Sequence, residues 1–220
     1  MHLQIACNIS WLWFCLLLGF ALLITIFMSI QGKRFYTDDG VIRQFSIMDL
    51  EFAATPKEIV NIISGMYKLP GERSKKAVNA VRMQLIADFV FMPAIYGAIF
   101  LLCMQVSCKM LHFGRGIFAV LAWLQLLPWL CDIIENIYLL GKINPSPVES
   151  SEKVHTAYLR LEIIKWGLSL TAAVCAIAAI FFFWLSGYYS INSLHYLAIS
   201  LLEVILFLVG MKIVARKTAV

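Results

Sequence analysis

Five stretches of this chain, 11–30, 85–107, 116–140, 164–187 and 194–213, are nearly free of charged residues, and they constrain the fold more than any other feature. Each holds 20 or more residues. At a rise of about 1.5 Å per residue, a helix of that length crosses the roughly 30 Å of hydrocarbon in a bilayer. Composition agrees, since 61% hydrophobic and 14% charged residues with a mean hydropathy of +0.83 are far too apolar for a soluble domain. The expected fold is an all-α membrane protein, a bundle of five transmembrane helices, with 1–220 forming a single integral membrane domain. Residues 1–10 carry no Lys or Arg. The apolar core after them is longer than the 7–15 residues usual for a secretory signal and lacks an A-x-A site, so the first window is expected to be a retained helix.

The basic residues give the bundle a direction. Segment 32–84 holds Lys33, Arg34, Arg43, Lys57, Lys68, Arg73, Lys75, Lys76 and Arg82. Lys142, Lys153, Arg160 and Lys165 follow the third window or open the fourth, and Lys212, Arg216 and Lys217 end the chain. These three regions share one side of a five-helix topology, leaving only Lys109 and Arg115 of the 18 basic residues opposite. Such asymmetry places the N-terminus outside and the C-terminus in the cytoplasm. The net charge of +5 is thus a topology signal and not evidence for nucleic acid. A juxtamembrane basic surface also suits anionic lipid headgroups, and the lipid bilayer is the first expected partner.

Between the first two windows, 32–84 is expected to be a small cytoplasmic α+β insertion. Partial alternation through Phe45, Ile47, Met48, Leu50 and Phe52 suggests an extended stretch over 41–53. Thr55-Pro56-Lys57-Glu58 reads as a capping box with Pro at the first helical position. The helix after it carries Ile59, Val60, Ile62, Ile63, Met66 and Tyr67 on one face, and Leu69-Pro70-Gly71 ends it. From Ser74 a further helix is expected to run unbroken into the second window.

The polar residues inside the windows locate a candidate site. Asp132, Glu135 and Asn136 lie in the third window, Asp88 in the second, Lys165 at the start of the fourth and Glu203 in the fifth. An ionisable group near the bilayer centre costs about 2.5–3.5 kcal/mol on insertion scales, so such groups persist where they are paired or used. With the third helix running inward to about Leu140, Glu135 lies roughly 7 Å and Asp132 roughly 12 Å inside its cytoplasmic end. Asp88 and Lys165 fall at similar depth. At 100° per residue Gln125, Asp132, Glu135 and Asn136 share one face, and Tyr96 can present its hydroxyl to the same region. Two carboxylates at i, i+3 call for a compensating partner: the Lys165 ammonium, a bound metal or polar ligand, or a proton. Pro128 should free the carbonyl of Leu124 one turn back, and Pro93 should do likewise in the second helix. In the fourth helix Gly167, Thr171, Cys175 and Ala179 form a small-residue stripe expected to pack.

Other chemistry is sparse. Cys7, Cys15, Cys103, Cys108, Cys131 and Cys175 include no C-x-x-C, although Cys7 and Cys108 fall on the outer side and could pair. His2, His112, His155 and His195 are scattered between the two sides, and no H-E-x-x-H, phosphate loop or G-x-S-x-G is found. No cofactor is expected.

Met48-Asp49-Leu50-Glu51-Phe52, Asp88-Phe89-Val90-Phe91-Met92-Pro93 and Asp132-x-x-Glu135-Asn136 together resemble a group of small uncharacterised bacterial membrane proteins with D-F-x-F-x-P and D-x-x-E-N segments. Those proteins also carry a Lys near the start of the next helix, here Lys165. The resemblance covers most of 45–185. It implies a shared polar site and a bacterial inner membrane, and it supplies no activity.

The expected function is therefore binding or movement of a proton, cation or polar lipid headgroup at a cytoplasm-facing cluster drawn from Asp88, Asp132, Glu135, Asn136, Lys165, Tyr96 and Glu203. No inverted repeat is visible among the five helices, so transport by alternating access would need a homo-oligomer. A lipid-modifying membrane enzyme using the acids is an alternative, although no His accompanies them at matching depth. A structural or sensor subunit of a membrane complex is another, and in that case the polar residues would merely lock the helices.

Overall fold

The structure, a computed structural model, describes residues 11–189 and 193–216. In order these form α1 (Trp11–Gly32), β1 (Tyr36–Asp38), β2 (Ile42–Gln44), α2 (Ile47–Glu51), α3 (Pro56–Lys68), α4 (Glu72–Lys109), α5 (His112–Trp123), α6 (Leu126–Lys142), α7 (Glu152–Leu185) and α8 (Leu194–Arg216). Five helical segments are long and apolar enough to cross a membrane: Trp11–Gly32, Glu72–Lys109, His112–Lys142, Glu152–Leu185 and Leu194–Ala215.

Helix boundaries differ from the apolar windows for physical reasons. A window marks only the part suited to hydrocarbon, whereas a helix satisfies its own backbone and can continue into water. Hence α4 starts at Glu72, and α7 starts at Glu152, well ahead of residue 164, with Lys165 well inside it. The third span is two helices. Pro128 has no N–H to return to the Leu124 carbonyl, and there the chain breaks. The Leu127 N–H takes that carbonyl instead at 3.0 Å, three residues along. Pro93, by contrast, lies within α4 without ending it. The extended stretch expected over 41–53 is only partly so. Ser46 caps a short helix, its N–H donating to the Asp49 carboxylate at 2.7 Å, and this turns 47–51 into α2.

The chain divides into two compact units. One gathers Ile24–Val90, Cys131–Ile164 and the chain from Met211. Its core brings Ile59, Ile62, Ile63 and Met66 of α3 onto Phe35, Phe45, Leu50, Val81, Leu85, Leu139 and Tyr158. Antiparallel β1 and β2 pair Thr37 with Arg43. β1 then lies directly on α3: buried Thr37 donates to the Ile62 carbonyl at 2.9 Å. That approach requires Gly65, where a Cβ would collide with Thr37 Oγ1 and stand 2.9 Å from the Asp38 backbone N and O. The α3 start matches its sequence, with the Glu58 N–H donating to Thr55 Oγ1 at 3.3 Å and Pro56 in the first turn. The Glu58 carboxylate accepts from the Ala54 N–H at 2.8 Å, one residue before the cap. Gly71 ends the break at φ +58°.

The other unit gathers the described residues up to Leu23 with Phe91–Leu130 and Lys165–Gly210. Its core includes Leu102, Cys103, Val106, Phe118, Ala122, Ala172, Ala176 and Ile180. The stripe that packs on α7 is thus Ala172, Ala176 and Ile180, while Gly167, Thr171 and Cys175 are exposed. Small residues permit close contact, but which face is used depends on what the opposing helix offers. At one end Trp11, Trp184 and Tyr189 form an aromatic group with centroids 5.3–5.6 Å apart, and Lys109 lies 5.2 Å from the Tyr189 ring centre. Burial pushes the Tyr189 phenol above its ordinary range.

Candidate metal centre

Three glutamates converge in the first unit: Glu51 from the last turn of α2, Glu135 from the middle of α6 and Glu162 from α7. All are buried, and one carboxylate oxygen from each lies within 4.8 Å of those from the other two. The local folding of each element explains the meeting. The Ser46 cap makes 47–51 helical and turns Glu51 inward beside buried Leu50. α7 reaches Glu162 only because it begins at Glu152, and Tyr158, one turn earlier, donates its hydroxyl to the Leu50 carbonyl at 3.4 Å. That bond ties α7 to α2 next to Glu51. Tyr158 also packs on Tyr138 of α6 at 4.9 Å, holding the third helix in place.

Three carboxylates this close repel one another when ionised. At an effective dielectric constant of about 20, two unit charges 4.8 Å apart repel by about 3–4 kcal/mol. Positive charge among the three oxygens removes this repulsion. The geometry accepts an ion at the centre, since a triangle with sides up to 4.8 Å has a point no more than about 2.8 Å from every corner, against Ca²⁺–oxygen distances of about 2.3–2.6 Å. A contraction of a few tenths of an ångström completes three bonds. All-carboxylate donors suit hard cations such as Mg²⁺, Ca²⁺ and Mn²⁺.

Of the residues singled out in the sequence, Glu135 belongs to this triad. Asn136, next to it and equally buried, does something different: its Nδ2 donates to Asp88 Oδ2 at 2.7 Å and faces the Leu85 carbonyl at 3.4 Å. This is a cross-link between α6 and α4 within the unit. Asp132 is buried on the same helix, three residues before Glu135. Tyr96, Lys165 and Glu203 fall in the other unit. There Tyr96 is buried, and the Lys165 ammonium lies 5.7 Å from the Trp166 ring centre. Glu203 Oε1 rests on α1, 2.8 Å from where a Gly19 Cβ would stand, and its Oε2 is buried without a hydrogen bond among the described residues. Beside it Cys15 Sγ and Ser200 Oγ are 3.5 Å apart.

Sequence reading missed Glu51 and Glu162 as ligands and left His155 among four scattered histidines. His155 is buried, stacks on Tyr158 at 6.3 Å, and has both ring nitrogens without a hydrogen bond among the described residues. It sits two turns, about 10 Å, before Glu162 on the same face of α7. The available signal was the spacing His155-x-x-Tyr158-x-x-x-Glu162, helical and polar on a single face. Cys108 is disulfide-bonded, and the residue expected opposite it, Cys7, lies outside the described residues. Neither protein-family models, curated proteins nor solved structures match this chain.

Proposed function

We propose that this is a multi-pass protein of a bacterial inner membrane that binds a divalent cation at Glu51, Glu135 and Glu162, on the cytoplasmic side of its bundle. The observation that carries the reading is the convergence of three buried carboxylate oxygens within 4.8 Å of one another. Asp88 and Asn136 take the helix-locking role in the same unit, leaving Glu135 for the ion.

The orientation rests on charge. The loops and helix ends at 32–84 and 142–165 and the C-terminal segment carry sixteen of the 18 basic residues. The disulfide-bonded Cys108, near the opposite end of α4, supports it, because disulfides persist on the oxidising side of a membrane. The small α+β segment after α1 then lies in the cytoplasm and supplies one of the three ligands, Glu51. That gives it a function beyond covering the membrane surface.

The test is metal loading of the detergent-purified chain after chelation. Mn²⁺ bound at one ion per chain, read by paramagnetic resonance and elemental analysis, is expected for the native sequence. Glu135→Gln and Glu162→Gln should each weaken it by about tenfold or more, since each removes a direct charged ligand. Equal Mn²⁺ binding by native and substituted chains would remove the basis of the reading.

A further inference from the structure

A second site is written in the opposite charge. Lys33 and Arg34, directly after α1, and Arg73 and Lys76, in the first two turns of α4, line a cavity of about 290 Å³ with Tyr36 of β1 and Ile42 of β2. No carboxylate lines it. None of the four cations forms an ion pair with a carboxylate among the described residues, although Arg43 on the same hairpin pairs with Asp39 at 3.2 Å. The hairpin thus satisfies its own charge and leaves four bases facing one space.

The cavity has the volume of about ten water molecules, enough for a phosphate and the polar group attached to it. Its position narrows the ligand further. Lys33 and Arg34 directly follow one membrane-length helix, while Arg73 and Lys76 stand about 14–18 Å before the apolar stretch that opens near residue 85, so the cavity spans the headgroup layer just outside the hydrocarbon. Tyr36 adds a hydroxyl donor, and Arg34 and Arg73 offer planar forks suited to phosphate oxygens.

We propose that this cavity binds a phosphate group, supplied by the headgroup of an anionic phospholipid. Lys33 and Lys76 act as point charges, Arg34 and Arg73 as directional donors, and Ile42 borders the apolar side. No lining residue belongs to the glutamate triad, so the two sites are tested separately.

Native mass spectrometry of the detergent-solubilised full chain, titrated with dioleoylphosphatidylglycerol and with dioleoylphosphatidylcholine, provides the readout. The native chain should prefer the anionic lipid. Arg34→Gln with Arg73→Gln should weaken that binding about 20- to 30-fold, taking about fivefold per base, with no effect on the neutral lipid. The pair Lys57→Gln with Lys68→Gln removes the same charge from exposed positions outside the cavity and should change it little. A parallel titration with inorganic phosphate separates the sources. Phosphate binding that falls with Arg34 and Arg73 while lipid binding does not supports the phosphate cavity and assigns it a soluble ligand. Equal losses in both double variants, or no loss in either, would overturn the site. Unchanged unfolding midpoints in both variants secure the comparison, and Arg34→Lys with Arg73→Lys, which keeps the charge, should retain most of the affinity should the glutamine pair fail to fold.

Discussion

At the scale of single residues, membrane burial made part of the candidate site conspicuous and hid the rest. Asp132, Glu135 and Asn136 stand out because an apolar window makes any carboxylate anomalous. Glu51 and Glu162 lie among other charges, where one more acid carries no surprise, and only the fold reveals that they are buried. Neighbouring residues also divide tasks in a way no spacing specifies. Glu135 turns to Glu51 and Glu162, while Asn136, one residue and about 100° further round, reaches Asp88. The Asn136–Asp88 bond should show as a stability coupling without metal dependence. In a double-mutant cycle of Asn136→Ala and Asp88→Ala, unfolding in mixed micelles should give a coupling of about 0.6–1.7 kcal/mol, the range of polar contacts between membrane helices. Mn²⁺ should bind Asn136→Ala about as well as the native chain. A coupling near zero would mean that the 2.7 Å contact holds nothing together.

At the scale of elements, local chemistry was legible and choice of face was not. Thr55, Pro56 and the Leu69-Pro70-Gly71 break bound α3 as their residue types require. Pro128 likewise marks the split of the third span, because loss of one N–H and a ring clash act on a fixed neighbour, Leu124. Packing faces depend on the partner instead. On α7 the stripe through Gly167 and Thr171 and the one through Ala172 and Ala176 are equally small, and tertiary contact selects the second. The sharpest packing constraint at this scale is Gly65 beneath β1, where the neighbours are Thr37 Oγ1 and the Asp38 backbone N and O, and the backbone atoms cannot swing away. Gly65→Ala should destabilise the chain by about 1–3 kcal/mol, the usual cost of overpacking. A stability equal to the native value would show that β1 can move off α3 freely. The neighbouring Ser64 is half-buried and a poor control, so Asn61→Ala, at an exposed position of α3, sets the baseline.

At the scale of the whole molecule, five apolar windows sufficed for five membrane-length helices, and the direction proposed for them rests on the basic residues. The direction can be read chemically. A membrane-impermeant maleimide should label Phe113→Cys, at an 83% exposed position beside the start of α5, from outside intact spheroplasts. Ser146→Cys, exposed between α6 and α7, should react only after permeabilisation. The reverse pattern would invert the protein and place the triad's side of the bundle outside. The proposed metal binding would link this architecture to stability, because the three glutamates come from α2, α6 and α7 and are brought together only in the folded chain. A ligand that binds only the folded state stabilises it by about 2.7 kcal/mol at a hundred times its dissociation constant. Saturating Mn²⁺ should therefore raise the unfolding midpoint of the native chain in detergent, and a chelator should return it. In Glu135→Gln and Glu162→Gln the shift should shrink toward zero. Gly65→Ala should start from a lower midpoint and yet keep the full shift, since it alters packing and removes no ligand. That contrast separates a metal centre from a helix lock: if the triad merely held helices together, all three variants would lower the midpoint and none would change its response to the ion.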